Sequence, residues 1–208
     1  YTGGGRIVDG DNVLTSSSGY YHSTGKEFYF RNDVVLTNPE YVMRSDTLKY
    51  RLAGKTAFFF GPTTITGKDN FIYCEDGWYD TERKVSQFSR NAYMKHREHT
   101  LSGDSIFYDD ARQCGKAYRN ITITDSIQRI VVKGGYGEYT GATSEYTVTD
   151  SAEMIRIFDS DSLFLHADTL YALYDTLRGR RTLYAYRHVR FFKPDLQGKC
   201  DSLVYAFS

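Results

Sequence analysis

The chain has 208 residues, 40 % hydrophobic and 25 % charged, with Lys plus Arg equal to Asp plus Glu at 26 each, and a mean hydropathy of −0.52. That composition specifies a folded protein with a sizeable core, and the longest run of aliphatic and Phe side chains, Ala57–Phe60, is far too short for a membrane helix. The balanced charge excludes nucleic acid as the main partner, because a binder of phosphate backbone carries a basic excess.

Aromatic residues set the fold class. There are 19 Tyr, 13 Phe and 1 Trp, against only 3 Pro and 18 Gly. Tyr, Phe and Thr favour pleated, half-buried surfaces, so the expectation is all-β. Three cysteines, Cys74, Cys114 and Cys200, cannot all pair within the chain, which argues against a disulfide scaffold. The chain starts at Tyr1 without a charged and then apolar leader, so a targeting segment was removed or the sequence was trimmed.

A repeat runs from end to end. In chain order its units end at Tyr21, Tyr50, Tyr79, Tyr108, Tyr139, Ala172 and Tyr205, in steps of 29, 29, 29, 31, 33 and 33 residues. The sharpest copies are Ser45-Asp46-Thr47-Leu48-Lys49-Tyr50, Gly103-Asp104-Ser105-Ile106-Phe107-Tyr108 and Cys200-Asp201-Ser202-Leu203-Val204-Tyr205. Seven residues before each end lie Leu14, Met43, Ile72, Leu101, Val132 and Leu165; nine after come Phe30, Phe59, Phe88, Ala117 and Val148. Thirteen after come Val34, Thr63, Ala92, Ile121 and Ala152, and fifteen after come Leu36, Ile65, Met94, Ile123 and Met154. A four-residue insertion around Arg178–Arg181 moves the sixth copy's counterparts to Ala185, Val189 and Phe191.

Residues two apart share one face of a strand. The polar or turn-forming pairs Asn32-Asp33, Gly61-Pro62, Arg90-Asn91, Arg119-Asn120 and Asp150-Ser151 predict bends where a strand turns a corner. About six stacked units of 29–33 residues would bury one continuous apolar face. The small residues five before each end, Ser16, Ser45, Cys74, Gly103, Gly134, Ala167 and Cys200, predict a crowded interior column. Cys74 and Cys200 are therefore read as small core residues rather than redox groups. No linker divides the chain, so residues 1–208 are read as a single domain. The last copy stops three residues after Tyr205, which implies a fragment of a longer protein or an edge awaiting a partner.

Reactive constellations are weak. His96 and His99 stand three apart, which on a strand sends the rings to opposite faces and misses the helical zinc spacing. Asp159-Ser160-Asp161 lacks the later Gly and Glu of a calcium loop, and Gly134-Gly135-Tyr136-Gly137 lacks the third dinucleotide-binding glycine. Asp46, Asp104, Asp168 and Asp201 could serve a glycosidase as paired carboxylates, but a position repeated in most units reads first as a turn cap. No catalytic residue, metal site or cofactor is expected. The run Arg178, Arg180, Arg181, Arg187, Arg190, Lys193 contains no acid. It suits phosphate or carboxylate groups, or else forms a charged edge that resists aggregation.

The stretch Ala167-Asp168-Thr169-Leu170, Asp175, Gly179, Val189-Arg190-Phe191 and Cys200-Asp201-Ser202-Leu203 resembles the OstA/LptA family, as does Asn120-Ile121-Thr122-Ile123. Asn91-Ala92-Tyr93-Met94 and Asp33-Val34-Val35-Leu36 match less closely, and Gly19, Gly77 and Gly137 replace the Leu of the anchor. The resemblance covers nearly the whole chain. It implies an open, twisted β-jellyroll and a periplasmic protein that binds lipopolysaccharide through its lipid A chains. It also implies a non-enzyme that joins other bridge proteins, or itself, end to end through edge strands. The acyl chains would then lie against Phe30, Leu36, Phe59, Ile65, Phe88, Met94, Ile123, Val148 and Met154. The family motif describes a fold, not contacts, so these positions follow from the columns. Two other readings compete: a scaffold that binds only proteins through its edges, and a carbohydrate-active enzyme with groove carboxylates.

Overall fold

The computed structural model describes residues 1–175 and 180–207. Every element is a β-strand. They are β1 (Thr2–Asp9), β2 (Asn12–His22), β3 (Glu27–Thr37), β4 (Tyr41–Arg51), β5 (Thr56–Gly67), β6 (Asn70–Asp80) and β7 (Val85–His96), followed by β8 (His99–Asp109), β9 (Cys114–Asp125), β10 (Ile130–Thr140), β11 (Glu145–Ile157), β12 (Ser162–Asp175), β13 (Arg180–Lys193) and β14 (Leu196–Ala206). They follow one another in chain order through an open sheet that never closes on itself. The all-β repeat expected from the sequence is what forms. The chain divides into two compact units, Tyr1–Arg97 and Glu98–Ser208.

Corners occur where the polar pairs predicted them. Asn32-Asp33, Arg90-Asn91, Arg119-Asn120 and Asp150-Ser151 all have φ between 52° and 62°, and Gly61 has φ 80°. Arg187-His188, at φ 64° and 48°, forms a further corner that those pairs did not include. This is the left-handed region that costs most side chains energy and that Asn and Asp tolerate best. Two such residues in succession interrupt the ladder, and the register shifts at that point in each neighbouring pair. Each odd strand is thereby broken into two arms. In β1 the corner is Gly3-Gly4, at φ 91° and 102°. That strand's Ile7 pairs with Leu14 and its Gly5 with Ser16, so it extends two of the columns, which the sequence pattern did not anticipate.

In the first unit the columns become continuous ladders. One runs Gly19–Phe30–Leu48–Phe59–Gly77–Phe88 and another Leu14–Leu36–Met43–Ile65–Ile72–Met94, each step a direct cross-strand pair. Large rings alternate with Gly or Leu because the space is shared. A Cβ on Gly77 would lie 2.6 Å from the Gln87 carbonyl and 3.4 Å from the Phe59 ring. The second unit repeats the pattern as Ile106–Ala117–Gly137–Val148–Leu170–Ala185–Leu203 and Leu101–Ile123–Val132–Met154–Leu165–Phe191.

The crowded column is also present. Val34, Ser45, Thr63, Cys74 and Ala92 are buried in the first unit, where the Ser45 and Thr63 hydroxyls share a hydrogen bond of 2.8 Å. Cys74 is buried as expected. Cys200 is not: it is exposed on β14, where no further strand among the described residues covers its column. His96 and His99 do not share a strand either. A turn at Arg97-Glu98 separates them, His96 ending β7 and His99 opening β8.

Candidate functional site

The candidate site is the apolar inner face, and the structure sorts its nine expected residues by depth. Phe30, Phe59, Phe88, Val148 and Met154 are buried, with exposures of 6 % or less. Leu36, Ile65, Met94 and Ile123 are half-buried. The first six lie on the two adjacent ladders of the first unit. Ile123, Val148 and Met154 belong to the second, inside the core formed with Leu165, Leu170 and Val189. A fully buried Phe or Met contributes about 1.5–3 kcal/mol, so these ladders carry much of each unit's stability whatever else they do.

In the second unit the two arms meet along a seam. Arg156, two residues beyond Met154, donates a hydrogen bond to the Tyr205 hydroxyl, 49 residues away. Its guanidinium lies 5.2 Å from the Phe158 ring, 5.7 Å from Tyr205 and 5.6 Å from Phe207. Farther along, Arg181 Nη1 donates to Asp125 Oδ2 at 3.3 Å. Sequence spacing could not reveal these contacts, because they depend on how sharply the corners fold the strands. Tyr205, which ends the last repeat, was the available signal, since its ring and hydroxyl form part of the seam.

The described members of the basic run are spread along β13. Arg178 lies outside the described residues, as does the side chain of Arg180. Arg181 and Lys193 stand near opposite ends of β13, about 40 Å of strand apart before bending. Arg181 is held by Asp125, and Lys193 Nζ sits 3.3 Å from both Asp161 and Asp195. Arg187 occupies the corner, and Arg190 faces outward between His166 and Lys199.

The recurrent acids lie beside the corners. Asp104 accepts hydrogen bonds from Asn120 Nδ2 at 2.9 Å and Arg119 Nε at 3.1 Å. The Asn120 amide foremost, with the Arg119 charge, holds its carboxyl below the usual range. Asp168 bonds His188 in the same way at 2.8 Å, and Glu75 takes the equivalent role toward Asn91 at 2.9 Å. Asp46 packs under Gly61. Asp201 is exposed on β14, beside a cleft lined by His188, Arg190, Lys199 and Cys200. Among the described residues no cluster of three or more His, Cys, Asp or Glu could hold a metal ion.

Stacked hairpins with an apolar inner face and clasped corners define a class, the strand-repeat proteins whose units differ only in side chain. The profile of the OstA-like protein family matches residues 1–46 and 59–157, well over half of the chain, and the chain belongs to that family. No curated protein matches the sequence. Among solved structures it is similar to LptH of Pseudomonas aeruginosa, with 18 % identity and a TM-score of 0.49, over 54 % of this chain and 93 % of that one. LptH is described as the LptA-homologous periplasmic component of a lipopolysaccharide transport device.

Proposed function

We propose that this chain is a non-enzymatic, periplasmic lipopolysaccharide-transport protein that holds lipid A acyl chains against its inner ladders and assembles with bridge proteins, or with itself, through edge strands. Residues 1–208 act as one OstA-like domain in this reading. The observation that carries it is the unbroken register of apolar residues along each unit, in a chain that belongs to the OstA-like family. A β-surface lined by Phe, Ile, Leu and Met shields acyl chains at about 0.8 kcal/mol per buried methylene. Phe30, Leu36, Phe59, Ile65, Phe88 and Met94 would line the first unit's share of the path, and Ile123, Val148 and Met154 the second's. The half-buried members, Leu36, Ile65, Met94 and Ile123, are where a chain would first make contact.

One observation favours the scaffold reading instead. The deepest ladder positions are already filled by side chains, so lipid can enter only if the arms part. Photo-crosslinkers at Phe59 and Ile65, with Lys95 on the exposed face as control, separate the two readings. Capture of purified lipopolysaccharide at the inner sites, competed by unlabelled lipid and absent at Lys95, is the expected result. Folded protein that captures none at any inner site overturns transport and leaves the scaffold.

A further inference from the structure

Among the described residues, the seam of the second unit contains one cation without a counter-ion. Among the described residues three basic side chains line it. Arg181 is neutralised by Asp125, and Lys193 by Asp161 and Asp195. Arg156 has no carboxylate within ion-pair range among the described residues. Its hydrogen-bond partner is the neutral Tyr205 hydroxyl, and three ring faces surround the guanidinium. On the sheet its cross-strand neighbours are Ile130 and Leu163, both apolar. A charge removed from water is costly unless an opposite charge or strong acceptors meet it, and ring faces with one hydroxyl meet it only in part.

The surroundings specify the ligand. Two residues along the same face is Met154, paired across the sheet with Leu165, which is paired in turn with Phe191. An apolar ladder therefore begins where this cation ends. We propose that Arg156 is a headgroup anchor for an anionic amphiphile, an alkyl chain bearing a phosphate or carboxylate. The fork of the guanidinium takes the oxyanion in place of the Tyr205 hydroxyl, and the chain enters beside Met154 and Leu165. A planar guanidinium matches such oxyanions with two parallel hydrogen bonds, each stronger than its bond to a phenol. Because the Arg156–Tyr205 contact itself joins the two arms, engaging a headgroup releases one fastening of the seam at the place where the chain must enter. The inference rests on the lipid-carrying reading above and names its polar contact, which falls on Arg156 rather than on the basic run of β13.

Affinity is measured for dodecyl phosphate, laurate and the uncharged dodecyl maltoside, all below their micelle concentrations. Wild-type protein is compared with Arg156→Gln and Arg156→Lys, each checked for an unchanged β circular dichroism spectrum. Arg156→Gln is expected to lose about tenfold in affinity for one or both anionic ligands and nothing for the maltoside. Arg156→Lys keeps the charge but not the fork, and is expected to fall between Arg156→Gln and the wild type. Loss for phosphate alone, or laurate alone, assigns the headgroup. Anionic affinity unchanged in Arg156→Gln, or an equal loss for the maltoside, overturns the anchor. If lipopolysaccharide is still captured at Phe59 in that case, the transport reading survives without it. Wild-type protein that binds none of these ligands, lipopolysaccharide included, sinks both.

Discussion

At the scale of single residues, Glu27 shows how the outward face is held. Its carboxylate accepts from the Tyr29 hydroxyl at 2.8 Å and meets Lys49 Nζ at 3.0 Å and Arg51 Nε at 3.1 Å. The Tyr29 bond first, then the two cations, lower its pKa from the ordinary 4.5 to about 2. Lys49 and Arg51 in turn lie over the Phe58 ring, and Tyr29 stacks on Tyr20 at 4.8 Å. A carboxyl whose pKa falls on folding contributes stability that is complete above about pH 4.5 and lost as pH drops toward 2. Wild-type protein should therefore lose more stability than Glu27→Gln between pH 5 and pH 2, with the two urea-midpoint curves converging at the acid end. Parallel curves would show that the cluster contributes nothing to folding. Cys74 is the opposite case, a group shifted chiefly by burial, with the nearby Asp76 and Glu75 charges acting in the same direction. Desolvation pushes its thiol up to about 11, which keeps it protonated and inert at neutral pH.

At the scale of elements, the corner does most to organise the strands. Asn120 has φ 52° and donates to Asp104, so its side chain serves both the conformation and the clasp. Asn120→Gly should cost about 1 kcal/mol, the hydrogen bond alone. Asn120→Val adds a β-branched residue in the left-handed region and should cost about 2–4 kcal/mol, read as the shift in urea midpoint. Equal losses would mean that the corner stores no backbone preference. Five of these corners were legible in the sequence because Asn, Asp and Gly-Pro at a fixed place in the unit have a local physical meaning, whereas Arg187-His188 carries no such signal. The ladders were legible for the same reason, since a period of two and a step of 29 residues survive translation into cross-strand pairs. The fates of Arg181 and Lys193 were not. Their acidic partners, Asp125 and Asp161, come from elsewhere in the chain, and only the fold brings them near. Arg156 was hidden likewise, since two of its three rings, Tyr205 and Phe207, come from the far end of the chain.

At the scale of the molecule, the inner ladders have no break within either unit, and the loops are stitched to one another as well. The Leu52 amide donates to the Lys26 carbonyl and Thr81 to Lys55, each at 3.0 Å, while in the second unit Gly141 donates to Gln113 at 2.8 Å. Arrays coupled between nearest neighbours melt together when their interfaces are strong relative to the stability of each repeat. Reading residues 1–208 as one domain predicts a single calorimetric transition whose van't Hoff and calorimetric enthalpies agree. Two resolved transitions would assign separate stabilities to Tyr1–Arg97 and Glu98–Ser208.

Strand order that never departs from chain order has a consequence for biogenesis. Each strand's partners are its immediate predecessor and successor, so no strand must wait for a distant segment to be synthesised or delivered. Large β-proteins usually fold slowly because their pairings close long loops. Here the closures span only a few residues, and the sheet can lengthen hairpin by hairpin as the chain emerges from a ribosome or a translocation pore. The same property makes the hairpin a unit of evolutionary change. A gene duplication that adds one extends the sheet by two strands and leaves every existing register intact.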